Sequence, residues 1–296
     1  MNTDAIALSP ARAKLADLFV LTKVRLNSLV VVTTAGGYYM GADAVDPIVL
    51  VATSLGTALV AAGAAALNQV DERDLDRLMD RTRHRPVADG RMSPGEARGI
   101  AAALSGVGLL LLWAAAGGRL PMIVALATLL SYVAIYTPLK RVSSLATVVG
   151  AVPGALPPLI GWAAARGTLA EPAPWALFLI MFLWQLPHFL AIAWMYRADY
   201  AQAGMPMLPV VDGDGALTGR QTVLWAGTLL PISQLPYLLG LTNAAYAIGA
   251  LVLGLLQFVL AVRFAFGRTD GNARALFIGT IAYLPLLWLL MGLMKR

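Results

Sequence analysis

Most of this chain consists of apolar runs, each long enough to cross a lipid bilayer. A spanning helix needs about 20 predominantly apolar residues. Nine stretches approach or meet that length: 24–42, 47–69, 97–117, 121–137, 143–163, 173–195, 221–240, 243–264 and 273–293. Only Gly117, Gly118, Arg119 and Pro121 separate the third from the fourth, so merging those two gives eight. In hydrocarbon, backbone polar groups must be satisfied within the protein, and long apolar runs achieve this as helices. The predicted fold class is therefore all-α, a polytopic membrane protein with about nine transmembrane helices. Composition agrees: 59% of residues are hydrophobic and 13% charged, with mean hydropathy +0.72, whereas soluble domains run near a quarter charged. No low-complexity tract or soluble appendage interrupts the pattern, so residues 1–296 read as one membrane domain, with residues 1–20 expected to be a flexible cytoplasmic segment.

The basic residues predict an orientation. With the N-terminus inside, 18 of the 22 lysines and arginines fall on the cytoplasmic side. Arg119, Arg166, Lys295 and Arg296 remain outside. This asymmetry follows the positive-inside rule. The net charge of +6 then reflects topology and attraction for anions, and no nucleic-acid motif accompanies it. The absence of cysteine removes disulfides, thiolate metal sites and cysteine nucleophiles. Asp4, Pro10 and several charges precede a long first apolar run, a pattern unlike a cleaved signal peptide. Acid-bearing loops after the second and sixth runs suggest a weak internal symmetry of two halves.

Chemistry concentrates after the second run, in Asn68-Gln-Val-Asp-Glu-Arg-Asp-Leu-Asp76 and Met79-Asp-Arg-Thr-Arg-His-Arg-Pro86. On a helix, Asn68, Glu72 and Asp76 drift by only about 40° per four-residue step, so their oxygens share one face over roughly 12 Å. Mg²⁺ prefers such hard oxygen ligands and keeps substrate phosphates in its shell, and the arginines that follow suit a diphosphate. The competing reading is a solvated, salt-bridged helix end.

Three further groups stand out. Tyr136-Thr-Pro-Leu-Lys140-Arg141 ends the fourth run, with Pro138 expected to stop the helix. Lys140 and Arg141 there are either a diphosphate clamp or snorkelling anchors. Trp184-Gln-Leu-Pro-His188-Phe places Gln185 and His188 three residues apart in an apolar run. Such polar groups are costly in lipid unless they face a cavity or a partner helix. Their readings are a functional site or hydrogen-bonded packing. Lys23 and Arg25 at the first run are likewise site residues or topology anchors, and Asp212-Gly-Asp214-Gly reads as a turn rather than a calcium loop. Tryptophans and tyrosines inside a cavity would stabilise a carbocation through their π faces.

Taken in order, Lys23-Val-Arg25, Asn68 to Asp76, Met79-Asp-Arg81-Thr82, Arg85-Pro86, Tyr136-Thr-Pro-Leu-Lys140-Arg141, Trp184-Gln-Leu-Pro-His188-Phe and Asp199-Tyr200 resemble the protohaem IX farnesyltransferases (haem O synthases). These are a branch of the UbiA-type intramembrane prenyltransferases. The similarity runs from about residue 20 to residue 210, while the last three spans match only in hydropathy. The resemblance implies nine helices in a ring around a central cavity open to the membrane. It implies Mg²⁺ as cofactor, farnesyl diphosphate and haem b as substrates, haem O and diphosphate as products, and haem A synthase as a partner. It implies a bacterial-type inner membrane.

For the site it implies Mg²⁺ and diphosphate on Asn68, Glu72 and Asp76, with Asp199 a further metal residue. It implies diphosphate on Arg73, Arg81, Arg85, Tyr136, Lys140 and Arg141. The catalytic set becomes Asn68, Glu72, Asp76, Lys140 and His188, and the acceptor cavity Lys23, Arg25, Gln185 and His188. Glu72 stands where many members have Asp. In the second acidic motif, quinone-type members carry several aspartates where this chain offers Gln185, His188 and Asp199, which places it nearer the haem branch. The alternatives are a prenyltransferase for an aromatic quinone precursor and a secondary transporter. Transporters place polar and broken segments at mid-span, whereas the acids here lie at span ends.

Overall fold

A computed structural model describes residues 10–296. Its long helices are α1 (Pro10–Leu21), α2 (Val24–Gly41), α3 (Pro47–Asp71), α4 (Pro94–Ala115), α5 (Arg119–Leu139), α6 (Ala146–Arg166), α7 (Pro172–Met195), α8 (Ala216–Ile232), α9 (Ala244–Gly267) and α10 (Asp270–Leu293). Seven of them, α3 to α7 with α9 and α10, are long and apolar enough to cross a membrane. The chain is therefore an all-α integral membrane protein with multiple spans. The third and fourth runs are separate helices, because Gly117 and Gly118 adopt positive φ (83° and 96°) and turn the chain between α4 and α5.

The segment expected to be flexible is a helix from Pro10 onward; residues 1–9 lie outside the described residues. The helix forms because Leu18 and Leu21 pack on Ala66, Val70 and Ala101, and the Gln69 amide donates to the carbonyls of Val20 and Leu21. Helix starts carry their caps. Asp46 accepts from the Ile48 and Val49 N–H groups with Pro47 in the first turn, Ser93 accepts from Glu96, and Asn243 accepts from Ala245 and Tyr246.

Lipid tails are as apolar as leucine, so helix association in membranes rests on close packing of small residues. At the crossing of α2 with α6, a Cβ on Gly161 would lie 1.9 Å from the Thr34 carbonyl oxygen. The helices α3 and α4 approach through Gly56, Gly63 and Gly108 in the same manner. The last helix returns to the first long one, where Trp288 of α10 lies against Gly36 of α2. Leu110, Trp113, Ile248, Leu256, Val259 and Leu289 face outward, while Asn68, Gln69, Gln185 and Thr280 are buried. This is the polarity expected of a protein surrounded by lipid.

The two ends of the bundle differ. At one end, Arg166 pairs with Asp43 at 2.9 Å, and Lys295 donates to the Ala42 carbonyl and lies over the Tyr39 ring. The opposite end holds the acidic ladder. There α5 widens into a π-helical turn, Ser131–Tyr136, and ends at Leu139, one residue beyond the expected stop at Pro138. Such turns frequently re-aim side chains at functional sites.

Candidate active site

The ladder forms across a helix end. Helix α3 stops at Asp71, and a short helical turn, Arg73–Asp76, carries the chain on. Backbone bonds from Glu72 N–H to the Asn68 carbonyl (2.9 Å) and from Asp76 N–H to the Glu72 carbonyl (2.8 Å) preserve the four-residue register. Asn68, Glu72 and Asp76 are 1%, 5% and 0% exposed.

Each ladder residue meets a cation from a different part of the chain. Lys23 Nζ donates to Asn68 Oδ1 at 2.9 Å, Lys140 Nζ to Glu72 Oε1 at 2.6 Å, and Arg85 to both Asp76 carboxylate oxygens at 2.8 Å. Asn68 also donates to Thr137 Oγ1 at 3.4 Å. Lys140 lies over the Tyr136 ring, 4.3 Å from its centroid, and that ring is backed by Gly150. Lys23 reaches the site from a left-handed backbone (φ 48°, ψ 46°) at the start of α2. That conformation costs a non-glycine residue roughly 1–2 kcal/mol and is retained where the surrounding structure demands it.

Electrostatics separate the two carboxylates. Burial pushes Glu72 up, but Lys140, with Lys23 and Arg85 behind it, holds it below the usual carboxylate range. At Asp76 burial outweighs Arg85 and keeps the group above that range. Burial, with Arg85 and Lys140 nearby, pulls Lys23 down to about 7. Among the described residues, no three acids or histidines form a ready metal cage. The ladder nonetheless presents three buried hard-oxygen groups, and this donor chemistry fits Mg²⁺ sharing its shell with a diphosphate.

The other expected residues divide. Arg81 donates to Tyr200 Oη at 3.3 Å and lies over the Tyr196 ring, joining the first loop to the helix Arg197–Gln202 that carries the half-buried Asp199. Arg73 turns away and pairs with Asp74 at 3.3 Å, 43% exposed. Arg141 caps the end of α3 by donating to the Asp71 carbonyl, and Arg25 is exposed on α2. The structure thus does not gather these three with the ladder. Successive helical residues diverge by about 100°, so a neighbour of a site residue faces elsewhere.

The expected acceptor group also splits, since Lys23 joins the ladder while Gln185 and His188 line α7. Gln185 donates to the carbonyls of Ala151 and Met181, with its Oε1 against Gly154. The His188 ring stacks between Trp184 and Phe277 at 5.2 and 5.0 Å. Its Nδ1 lies 2.8 Å from Thr280 Oγ1, whose single proton goes to the Phe277 carbonyl at 2.6 Å. Thr280 therefore accepts from Nδ1–H, which leaves the Nε2 lone pair of His188 free. Thr137 and Thr280 were missed in the sequence. A polar residue inside an apolar span was the signal available for Thr280, and Thr137 adjoins Tyr136.

The sequence pattern of the UbiA prenyltransferase family matches residues 29–290. The chain belongs to that family. Among relatives of this prenyltransferase, "Protoheme IX farnesyltransferase" of Solibacter usitatus is 45% identical over 285 residues, covering 93% of this chain and 97% of the relative. The protein of the same name from Koribacter versatilis is 41% identical over 295 residues, covering 94% and 93%. Two solved structures share the fold at 17% identity. One is a digeranylgeranylglyceryl phosphate synthase, with TM-score 0.79 over 95% of this chain and 98% of that one. The other is a UbiA homologue from Archaeoglobus fulgidus bound to GPP and Mg²⁺, with TM-score 0.62 over 93% and 99%. The UbiA-type prenyltransferase is thus an intramembrane enzyme whose buried ladder and cations lie at one end of its helices.

Proposed function

We propose that this UbiA-type prenyltransferase transfers the farnesyl group of farnesyl diphosphate to a vinyl group of haem b, with addition of water, giving haem O and diphosphate for haem-copper oxidases. The observation that carries this reading is the similarity to Protoheme IX farnesyltransferases over nearly the whole length of both chains. In this reading α2 and α8 also cross the membrane, making nine spans around a cavity, and the ladder end faces the cytoplasm at a bacterial inner membrane. Haem A synthase takes the product onward.

Asn68, Glu72 and Asp76 would hold Mg²⁺, with Asp199 approaching from the second loop. Bound there, Mg²⁺ supplies Lewis-acid stabilisation of charge on the departing diphosphate. Lys23, Arg85 and Lys140 supply the positive field that opposes that charge, with Arg81 closing from the Tyr200 side. Tyr132 and Tyr136, whose ring centroids are 5.3 Å apart, would offer π faces to a developing allylic cation. The vinyl group attacks the farnesyl carbon as its bond to diphosphate breaks, and water captures the resulting cation with loss of a proton. His188 would take that proton or orient haem through Nε2.

Purified protein incubated with haem b, farnesyl diphosphate and Mg²⁺, followed by haem extraction and mass analysis, tests the reading. A haem O mass from wild type, lost in Asn68→Ala and Asp76→Ala and without Mg²⁺, is expected. Prenylation of 4-hydroxybenzoate instead of haem would move the chain to the quinone branch.

A further inference from the structure

Away from the ladder, but at the same end of the bundle, α8 and α9 enclose a groove of about 550 Å³. Ala216, Arg220 and Val223 line one wall; Val262, Ala265, Phe266 and Arg268 line the other. Phe266 is 85% exposed, and on the same faces of the two helices Leu224, Leu255 and Val259 are exposed too. In a membrane this apolar groove is filled by an acyl chain or by a protein, and the charges at its mouth select the occupant.

Arg220 is exposed and, among the described residues, makes no hydrogen bond or ion pair; Arg268 is exposed and bonds only the Ala265 carbonyl of its own helix. The backbone supports a role for Arg268. It ends α9 in the left-handed region (φ 41°, ψ 38°), where glycine is favoured, directly after Gly267. Its stem packs over Gly215, where an added Cβ would come within 3.2 Å of Arg268 Cδ, so the guanidinium is carried to the start of α8. The nearby acids are otherwise engaged. Asp212 accepts from the N–H and hydroxyl of Thr218, Asp214 accepts from Ala216 N–H, and Asp270 pairs with Arg197. Arg263 and Arg274, also exposed at this end, have no ion-pair partner among the described residues.

We infer that this groove is a binding site for an anionic phospholipid, its phosphate held by Arg220 and Arg268 and one acyl chain laid along Val223, Val262 and Phe266. Basic pockets between helices select anionic headgroups in this way, and arginine suits phosphate because its fork donates two parallel hydrogen bonds. The site is separate from the transfer chemistry and does not depend on the proposed substrates.

The test is native mass spectrometry of the full-length protein in neutral detergent, titrated with phosphatidylglycerol or phosphatidylcholine. Each arginine near an anionic headgroup is worth about a fivefold change in affinity, so phosphatidylglycerol should bind roughly thirtyfold more tightly. Arg220→Gln with Arg268→Gln should erase that preference, Arg220→Lys with Arg268→Lys should keep most of it, and Arg263→Gln with Arg274→Gln should leave it unchanged. Should the double glutamine variant fail to fold, Arg220→Gln alone carries the test with about a fivefold loss, since that side chain is exposed and unbonded. Equal binding of both lipids by wild type would overturn the inference. So would a preference that stays undiminished in Arg220→Gln, or one lost equally in the Arg263 and Arg274 pair. Displacement of phosphatidylglycerol by an equimolar amount of inorganic phosphate would show a free-anion site instead and would also overturn it.

Discussion

Replacing Lys140 by methionine leaves the Glu72 carboxylate buried without its nearest partner. The two side chains are 11% and 6% exposed and meet at 2.6 Å. Removing one member of such a buried pair costs about 3–5 kcal/mol. Lys23, which also helps hold Glu72 charged, places the expected loss near the lower end, about 3 kcal/mol. Glu72→Gln alone should cost a similar amount, because it strands the ammonium over Tyr136. The double variant removes both charges and should be only mildly destabilised, by about 1 kcal/mol, so the cycle should give a coupling of about 5 kcal/mol. Equilibrium unfolding in mixed micelles with increasing SDS, followed by tryptophan fluorescence, measures all four corners at neutral pH. Activity provides an independent axis: the double variant should remain inactive although it regains stability. Single variants within about 0.5 kcal/mol of wild type, or effects that simply add, would refute a buried, mutually dependent pair.

Thr280→Val should lower the rate of haem farnesylation by about fivefold, the equivalent of one net hydrogen bond, while Thr280→Ser retains most of it; steady-state transfer assays at matched protein folding decide this. Arg81→Ala should raise KM for farnesyl diphosphate by about tenfold or more with a smaller effect on kcat, as expected for a charge-assisted contact to the bound diphosphate. Gly161→Ala should destabilise by about 1–3 kcal/mol or more, because its Cβ would fall 1.9 Å from the Thr34 carbonyl oxygen. Gly99→Ala on α4, with nothing within 4 Å, should match wild type or gain up to about 1 kcal/mol in the same SDS unfolding assay, because alanine favours a helix over glycine. Inorganic diphosphate should bind at least tenfold more tightly with Mg²⁺ than after chelation by EDTA, a difference of about 1.4 kcal/mol by calorimetry.

The legible part of this molecule is what repeats. Apolar length located eight of the nine helices to within about three residues, whereas the seventh, expected at 221–240, is Ala216–Ile232 followed by a separate short helix, Leu235–Leu238. The four-residue spacing of Asn68, Glu72 and Asp76 located the ladder, because it depends on local geometry. The partners of the ladder were not legible as partners. Lys23 lies 45 residues from Asn68 and Lys140 lies 68 residues from Glu72, so only helix packing brings them together. Local charge density misleads for the same reason. Arg73 adjoins Glu72 and Arg141 adjoins Lys140, yet each leaves its helix end in a different direction from its neighbour, whereas Arg85 curls back through the loop to reach Asp76. Thr280 was hidden by an apolar run whose hydropathy scarcely registers one hydroxyl, and the π-helical turn before Tyr136 has no composition of its own.

The pairing of three oxygen ligands with three cations has a consequence for how the site handles charge. Two carboxylates four residues apart, both buried, repel one another and lose hydration, so an empty ladder would be a costly element at a membrane surface. Lys140 and Arg85 offset that cost, while Lys23 neutralises nothing on Asn68 and is itself pulled down to about 7. The same cations are the ones a diphosphate needs. A diphosphate arriving alone would draw Lys140 and Arg85 from Glu72 and Asp76 and strand two buried carboxylates. A divalent cation arriving alone would displace the cations and leave them without anions. Only the two together would exchange each internal ion pair for an external one, so in the proposed reading the ladder and its cations would take up the metal diphosphate as a unit.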